Sequence, residues 1–576
     1  MIIKLADNIY SPLGTTTLAN FESVVEGRSA LRQYALPNGS RHVASLFPEK
    51  MRKDDVDFTF FERLCILSAS DAIDRAGINP SSPSVRFFIA STKGNVHLLA
   101  KGEIERALPG SSADLICRHF GNPNPPFVIS NACISGLSAQ IIAMRTIEAG
   151  LCNTAVVIGC DIQSDFIISG FQCLHALSPD RCRPFDRDRC GLNLGEAAAT
   201  IVYSTDFQTS PEFKWVIKAG AMCNDANHIS GPSRTGEGSF RCLQALSLDA
   251  NKLAFVSVHG TSTLYNDEME SIAIERAGLS DVPIFSLKGI YGHTMGAAGI
   301  LETILSMQAI AHGMIPGTPG FEKIGVSGKI NVCSHSRTTD RHSFVKLMSG
   351  FGGCNAAIRF DYITLESKSD TVNSFNSRLE PSGPNSPIHS VLLNPSSYTI
   401  DGRHFKMAES GSTALIELYR DQVGNYPKFF KMDPLARVGF IASELLLKVS
   451  PKENYSVLLF NATSSVADDI AFQGTIQDPT NWFPSPSLFV YTLPNIVTGE
   501  IAIRNHFLTE TNFMVHAEGI KYSALAEQIA LTAQYGPVLA GCIDCWDKDH
   551  FNAMMFTVPQ DTDIMTITQE FLKIKK

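Results

Sequence analysis

The sequence predicts an α/β protein with layered sheets, and three observations carry that reading. Short β-branched runs recur from Ile2 to about Leu365: VRFFIAS at 85–91, PFVIS at 126–130, AVVIGCD at 155–161, AFVSVHG at 254–260 and PIFSLKG at 283–289. Helix-length segments lie between them, such as Phe60 to Ala76 and Ser135 to Ala149, the latter closed by Gly150. The runs are almost continuously apolar instead of alternating, the pattern of strands covered on both faces. A chain of 576 residues, 44% hydrophobic and 18% charged, can bury such a core and has length for two to four domain-sized units.

From the N-terminus onward, several classes drop out. MIIKLADNIYSPLG is too polar, and its apolar run too short, for a secretory signal. No stretch of 18 apolar residues follows; the best, around Gly296 to Ile310, contains Glu302, so no membrane span is expected. Fourteen cysteines without a signal read as reduced thiols of a cytoplasmic protein. Cys542 and Cys545 form a single Cys-x-x-Cys with no second pair, and Cys173, Cys182 and Cys190 lack paired spacing, so no metal site is expected. The net charge of −9, from 57 acidic and 48 basic residues, argues against nucleic acid as the main partner.

Residues 366–387 (ESKSDTVNSFNSRLEPSGPNSP) turn abruptly to Ser, Asn, Pro and Gly and predict a linker between units at 1–365 and 388–576. The second unit echoes the first. FMVHAEGIKYSAL (513–525) parallels FVISNACISGLSA (127–139), and PVLAGCID (537–544) parallels AVVIGCD. With a one-residue gap, Glu518 falls opposite Cys133; without it, Gly519 does. Neither register supplies a thiol.

Cys133 sits between a strand and a helix. Backbone N–H groups and the helix dipole at such a junction stabilise a thiolate, which predicts a lowered pKa, within about 3.5–7.5. Most of fourteen cysteines must nevertheless be inert core residues, so two histidines decide the reading. His259, in VHGTST, follows a strand directly; His293 lies in the Gly-rich KGIYGHTMGAAG, with Lys288 five residues before it and Glu302 on the following helix. A thiol and two imidazoles in strand-end loops suit acyl transfer with stabilisation of a carbonyl-derived anion.

NACISG at Cys133, RPFDRDRCGLNLGEAAA (183–199), HGTST (259–263), KGIYGHTMGAAG (288–299) and GFGGCNAA (350–357) together resemble the β-ketoacyl-(acyl carrier protein) synthases of the thiolase superfamily, in family order over residues 1–365. The resemblance implies a thiolase-like layered αβαβα fold for the first unit. It implies Cys133 as the acyl-accepting nucleophile and His259 and His293 as donors to the enolate released when a malonyl group decarboxylates. Lys288, paired with Glu302, would orient the histidines. Phe351 would gate the thiol, its N–H and that of Cys133 forming the oxyanion hole. Thr261 and Thr263 would bind the phosphopantetheine arm of an acyl carrier protein, with no intrinsic cofactor. The basic run Lys50, Arg52, Lys53 is the densest in the first unit, but reads as a solvated surface before a carrier-docking site.

Two departures from that family bear on the second unit. The region from Thr92 to Pro126 is short, lacking the usual insertion that lines the acyl pocket and dimer interface. FVYTLPNIVTGEIAIRNHF (489–507) resembles that insertion, followed by a strand without nucleophile and no HGTST or GH motif. Residues 388–576 therefore resemble half of a chain-length-factor partner, a partial thiolase-like α/β domain. Such a half exposes faces that its sister half would cover and needs a partner surface. The resemblance predicts pairing of strand 512–517 with strand 126–131, within one chain as a pseudo-dimer or between two in a homodimer. It implies decarboxylative condensation of malonyl-carrier protein in polyketide, aryl-polyene or fatty-acid synthesis. The alternative is a non-catalytic scaffold or chain-length partner of another synthase, which intact Cys133, Lys288, His259 and His293 disfavour.

Overall fold

A computed structural model describes residues 1–206, 213–364 and 387–574. The predicted linker, apart from Pro387, lies outside these residues. Three sheets, each built around five strands in one order, form the centre of the described residues.

The first contains β1 (Ile3–Tyr10), β2 (Val85–Ala90), β3 (Phe127–Ile129), β4 (Thr154–Asp161) and β5 (Ala197–Ser204), in the order β1-β5-β4-β2-β3. The two leading pairings are antiparallel and the two trailing ones parallel. Helix α1 (Phe60–Ala76) covers its outer face and helix α2 (Ser135–Glu148) its inner face. A capping box starts α1: Thr59 accepts from the Glu62 N–H while the Glu62 side chain accepts from the Thr59 N–H.

The second sheet repeats this order with β6 (Phe213–Asn224), β7 (Leu253–Ser257), β8 (Pro283–Phe285), β9 (Ser343–Ser349) and β10 (Cys354–Thr364), as β6-β10-β9-β7-β8. Helix α3 (Leu264–Arg276) lies after β7, and α4 (Ala298–Ala311) faces α2 in the buried middle layer. The start of that contact needs glycine: a Cβ on Gly136 would lie 2.5 Å from the Gly296 carbonyl oxygen, and one on Gly299 2.5 Å from the Leu137 nitrogen. Sheet, helix pair and sheet give the layered fold expected of residues 1–365.

The third sheet comprises β11 (His389–Asn394), β12 (Ser456–Asn461), β13 (Thr511–Val515), β14 (Val538–Cys545) and β15 (Phe551–Val558), again as β11-β15-β14-β12-β13. Helix α5 (Pro434–Val449) covers its outer face and α7 (Tyr522–Ala533) its inner face, with α6 (Ile496–Asn505) ahead of β13. β13 pairs antiparallel with β3 of the same chain, placing Val515 opposite Val128 and Met514 opposite Ile129. The first and third sheets thus run on as one continuous sheet, the pairing within one chain.

The partner surface that the second unit needs lies within the same chain. Helix α8 (Ile564–Ile574) packs on α7 where a sister half would lie. Phe571 is fully buried, stacked on Tyr522 at 5.0 Å and edge-on to Phe556 at 4.8 Å. A hairpin, Ser397–Ile400 with Arg403–Lys406, continues the sheet beyond β11 and ends in a charged, exposed strand, which blunts the edge.

Candidate active site

Cys133 stands where β3 gives way to α2. Ala132, just before it, has φ 46°, a left-handed conformation that costs free energy in a non-glycine residue and needs support. That support is local and remote. The Ser135 hydroxyl donates to the Ala132 carbonyl at 2.6 Å and accepts from the Asn131 N–H at 2.9 Å. The Asn131 side chain donates to Asn512 Oδ1 at 2.5 Å and accepts from the Phe513 N–H at 2.8 Å, so the third sheet clamps the turn carrying the thiol.

His259 follows β7. Its N–H donates to Glu270 Oε1 at 2.6 Å and that of Gly260 to Oε2 at 2.8 Å, fastening the loop to α3. His293 precedes α4; its N–H donates to the Asn193 carbonyl at 2.7 Å, and its carbonyl accepts from the Gly195 N–H at 3.0 Å. The three residues come from three different strand ends and converge. Potential ligand atoms of Cys133, His259 and His293 all lie within 4.8 Å of one another, and the two rings are 5.0 Å apart, edge to face.

The Met295 N–H donates to His293 Nδ1 at 3.3 Å, which leaves the ring proton on Nε2; that nitrogen is buried without a partner. Burial, then the Lys288 charge, drives both histidines well below their ordinary pKa, so both are neutral near pH 7. Burial also pushes the Cys133 thiol up to about 12, with Lys288 pulling the other way. The lowered thiol pKa expected from the helix junction is therefore corrected: desolvation outweighs the favourable charge.

Lys288 pairs with Glu302, as expected from the sequence. Glu302 also pairs with Lys346, at 2.6 Å. Burial alone would raise the Glu302 carboxyl, but the two ammonium groups hold it below the usual range. Lys346 donates to the carbonyls of Ser257 (3.2 Å) and Val258 (2.9 Å), the residues that lead into His259. Sequence reasoning missed it, although a lysine inside the apolar run FVKLM was a signal, since a charge buried there requires a partner. Thiol and imidazoles form a donor set compact enough for a metal ion. The two lysines against one glutamate leave a positive excess beside it, which disfavours adding a dication.

A cavity of ≈ 320 Å³ joins these groups, with Phe351, Thr261 and Thr263 in its wall. The two threonine hydroxyls are 2.9 Å apart. No hydrogen bond among the described residues takes the Phe351 N–H, while the Phe351 carbonyl accepts from Asn495 Nδ2 at 2.8 Å. Leu264 and Tyr265 also line this cavity and reach solvent, Tyr265 being 78% exposed. Lys50, Arg52 and Lys53 are not among the lining residues. Arg52 is engaged with Glu196 at 3.0 Å and the Gln163 carbonyl at 2.5 Å.

Comparison with known proteins agrees with this geometry. Residues 11–206 match the family model described as "Beta-ketoacyl synthase, N-terminal domain" and residues 215–322 the one described as "Beta-ketoacyl synthase, C-terminal domain". The chain belongs to the β-ketoacyl synthase family. It is 26% identical to nodulation protein E of Rhizobium leguminosarum bv. trifolii, over 60% of this chain and 96% of that protein. It is also 26% identical to 3-oxoacyl-[acyl-carrier-protein] synthase 2 of Vibrio harveyi, over 63% of this chain and 98% of the other. The solved "PfaC Keto synthase-Chain length factor" shares the fold over 98% of this chain and 78% of its own, with TM-score 0.74 and 13% identity. Like its relatives, this β-ketoacyl synthase is an acyltransferase. Among the described residues, no helix is long and apolar enough to cross a membrane.

The registers of the third sheet resolve the alignment the sequence left open. Asp161, two residues after Gly159, accepts the N–H of Thr92, just past β2; Asp544, two residues after Cys542, accepts the N–H of Ala462, just past β12. Ala90 pairs with Gly159 and Ile129, and Phe460 with Cys542 and Met514. Ile129 therefore corresponds to Met514, and Cys133 to Glu518, which is solvent-exposed.

Proposed function

We propose that this protein catalyses decarboxylative Claisen condensation of a malonyl group on a carrier protein with an acyl group held on Cys133, extending a fatty-acid or polyketide chain. The observation carrying the proposal is the convergence of one thiol and two neutral imidazoles on one cavity. In the first step the Cys133 sulfur attacks an acyl-carrier thioester. A new C–S bond forms, and the pantetheine thiol leaves with the proton.

Malonyl-carrier protein then binds, its phosphopantetheine arm held by Thr261 and Thr263. The bond to the carboxylate breaks, carbon dioxide leaves, and the electron pair passes to an enolate whose oxygen accepts N–H bonds from His259 and His293. Neutral imidazoles suit this role, because they stabilise the developing charge without protonating the carbanion. The carbanion attacks the acyl carbonyl, whose oxygen is met by the N–H groups of Cys133 and Phe351. Cys133 departs and regains a proton. Lys288, Lys346 and Glu302 hold the histidines in place, and the second unit takes the place of a chain-length-factor partner.

Reconstitution with acyl- and malonyl-loaded carrier protein, read by mass spectrometry of the carrier-bound product, tests the proposal. The expected product is a β-ketoacyl thioester two carbons longer than the starter, absent with Cys133→Ala. Carbon dioxide release without chain extension by the wild type would reduce the protein to a decarboxylase. Neither product would leave the scaffold reading.

A further inference from the structure

A second, much smaller cavity of ≈ 10 Å³ adjoins Cys133, on the face formed with the second unit. Cys133, Phe171 and Lys93 of the first unit line it together with Phe489, Thr492 and Leu493 of the second. A space of that size barely holds one water molecule. Three of these side chains are aromatic or apolar and could turn aside. Lys93 is different.

Lys93 is buried, and among the described residues its ammonium bonds only to acceptors of the second unit: Asp469 Oδ1 at 2.5 Å, Ser465 Oγ at 3.1 Å and the Thr492 carbonyl. All three donors are thereby used, and the last bond fixes a residue of the cavity wall itself. Displacing the lysine would strand two charges in the interior, which is far costlier than rotating a phenylalanine. Phe166 covers the ammonium, its ring centroid 5.7 Å from Nζ, and lies edge-on to Phe472 at 4.8 Å. The same Phe166 ring lines a groove of ≈ 730 Å³ between the units, shared with Ile476 and Trp482. One layer, Lys93 and Phe166, thus stands between the small cavity and a space large enough for a long chain.

We propose that Lys93, latched to Asp469 and covered by Phe166, is the floor of the acyl cavity and restricts the group carried on Cys133 to short acyl chains. The inference rests on the acyl-enzyme reading above and adds a length limit to it.

The test uses the full chain and saturated acyl-N-acetylcysteamine thioesters from acetyl to dodecanoyl. In each reaction the Cys133 sulfur displaces N-acetylcysteamine, which leaves as the free thiol, and intact-protein mass spectrometry records the acyl adduct against a Cys133→Ser background. The wild type should take acetyl and butyryl, with octanoyl about tenfold or more slower, since one misfit methylene already discriminates by roughly that factor. Lys93→Ala, alone or with Asp469→Asn, should raise octanoyl acylation about tenfold while leaving acetyl within about twofold. If Lys93→Ala fails to fold with Asp469 left unpaired, the double variant carries the test. A latch that only tethers the units would lower thermal stability without moving the length profile. That result, or a wild type that takes octanoyl as fast as acetyl, overturns the proposal. No adduct from any thioester, with Cys133 still alkylated by iodoacetamide, would instead overturn the acyl-enzyme reading and this inference with it.

Discussion

The first and third sheets are two copies of one construction put to different uses. Strand order, strand sense and the aspartate at the end of the fourth strand in chain order (Asp161, Asp544) are the same, and the copies meet edge to edge through β3 and β13. At the equivalent strand-to-helix turn, one copy presents a thiol beside two imidazoles and the other an exposed glutamate. The difference lies less in the turn than in what faces it. The first copy is backed by a second sheet that delivers His259 and His293; the third copy is backed by a single helix, α8, which delivers only apolar cover. A turn of this kind becomes a site only when a second sheet supplies polar groups opposite it.

The largest expected effect concerns the turn residues themselves. Cys133→Ala should lower condensation on the order of 10⁴-fold or more, the scale of losing a nucleophile from a concerted site. Glu518→Cys in that background should restore nothing and take no acyl adduct, because among the described residues Glu518 stands in no cluster with two imidazoles. Steady-state condensation and adduct mass check both, and an acyl adduct on the Glu518→Cys variant would break the contrast.

Removing the cover of the third copy comes next. Phe571→Ala empties a fully buried ring site between Phe556 and Tyr522 and should cost about 3–5 kcal/mol of stability. Urea unfolding measures it, and native-state hydrogen exchange should place the lost protection in α7, β14 and β15 before β4 and β5. A loss below about 1 kcal/mol would mean that α8 does not stand in for a sister half.

On the first copy, His293→Ala should reduce malonyl decarboxylation by about 10²–10³-fold, or about 2.7–4 kcal/mol, the cost of one donor to a developing oxyanion. Lys346→Met should act on the same step through His259, because it removes the bonds to Ser257 and Val258 and leaves Glu302 with one partner. Acylation of Cys133 by a starter thioester should change far less in both variants. Equal losses in the two half-reactions would argue for general misfolding instead.

How much of this was legible in the sequence follows from where each contact is made. Cys133, His259 and His293 were legible because each sits in a short motif at a strand end, where side chains can gather without disturbing the sheet. The β3–β13 pairing was legible from the internal echo read together with the family resemblance, but its register was not, since one gap exchanges Glu518 for Gly519 and only strand pairing separates the two. Self-closure by α8 was not legible because an amphipathic terminal helix looks the same whether it docks on its own unit or on a partner. Lys93 was invisible for a plainer reason. Its acceptors lie 372 to 399 residues away, and no local pattern marks a lysine that will meet an aspartate at that distance.

The smallest effect is a dependence on pH that separates the copies. His259 and His293 have folded-state pKa values well below their ordinary ones, burial being the main cause. Below about pH 6.5 the unfolded chain binds protons at both rings while the folded chain does not, so stability must fall as pH falls. Each ring contributes up to about 1.4 kcal/mol per pH unit until the folded-state value is reached. Above that range the folded and unfolded rings are both neutral and the slope vanishes. Between about pH 7.5 and 5.0, His259→Asn with His293→Asn should therefore remove a stability loss that the wild type shows relative to the double variant, read as the difference between their urea midpoints. Glu270, pushed up to about 7 by burial, and Asp267 and Asp433, pushed up to about 6, act in the opposite sense in both proteins, and His516, lowered by burial, acts in the same sense in both, so only the difference belongs to the two imidazoles. A slope unchanged by the double variant would mean that the two imidazoles are hydrated in solution, and their role as neutral donors to an enolate would lose its physical basis.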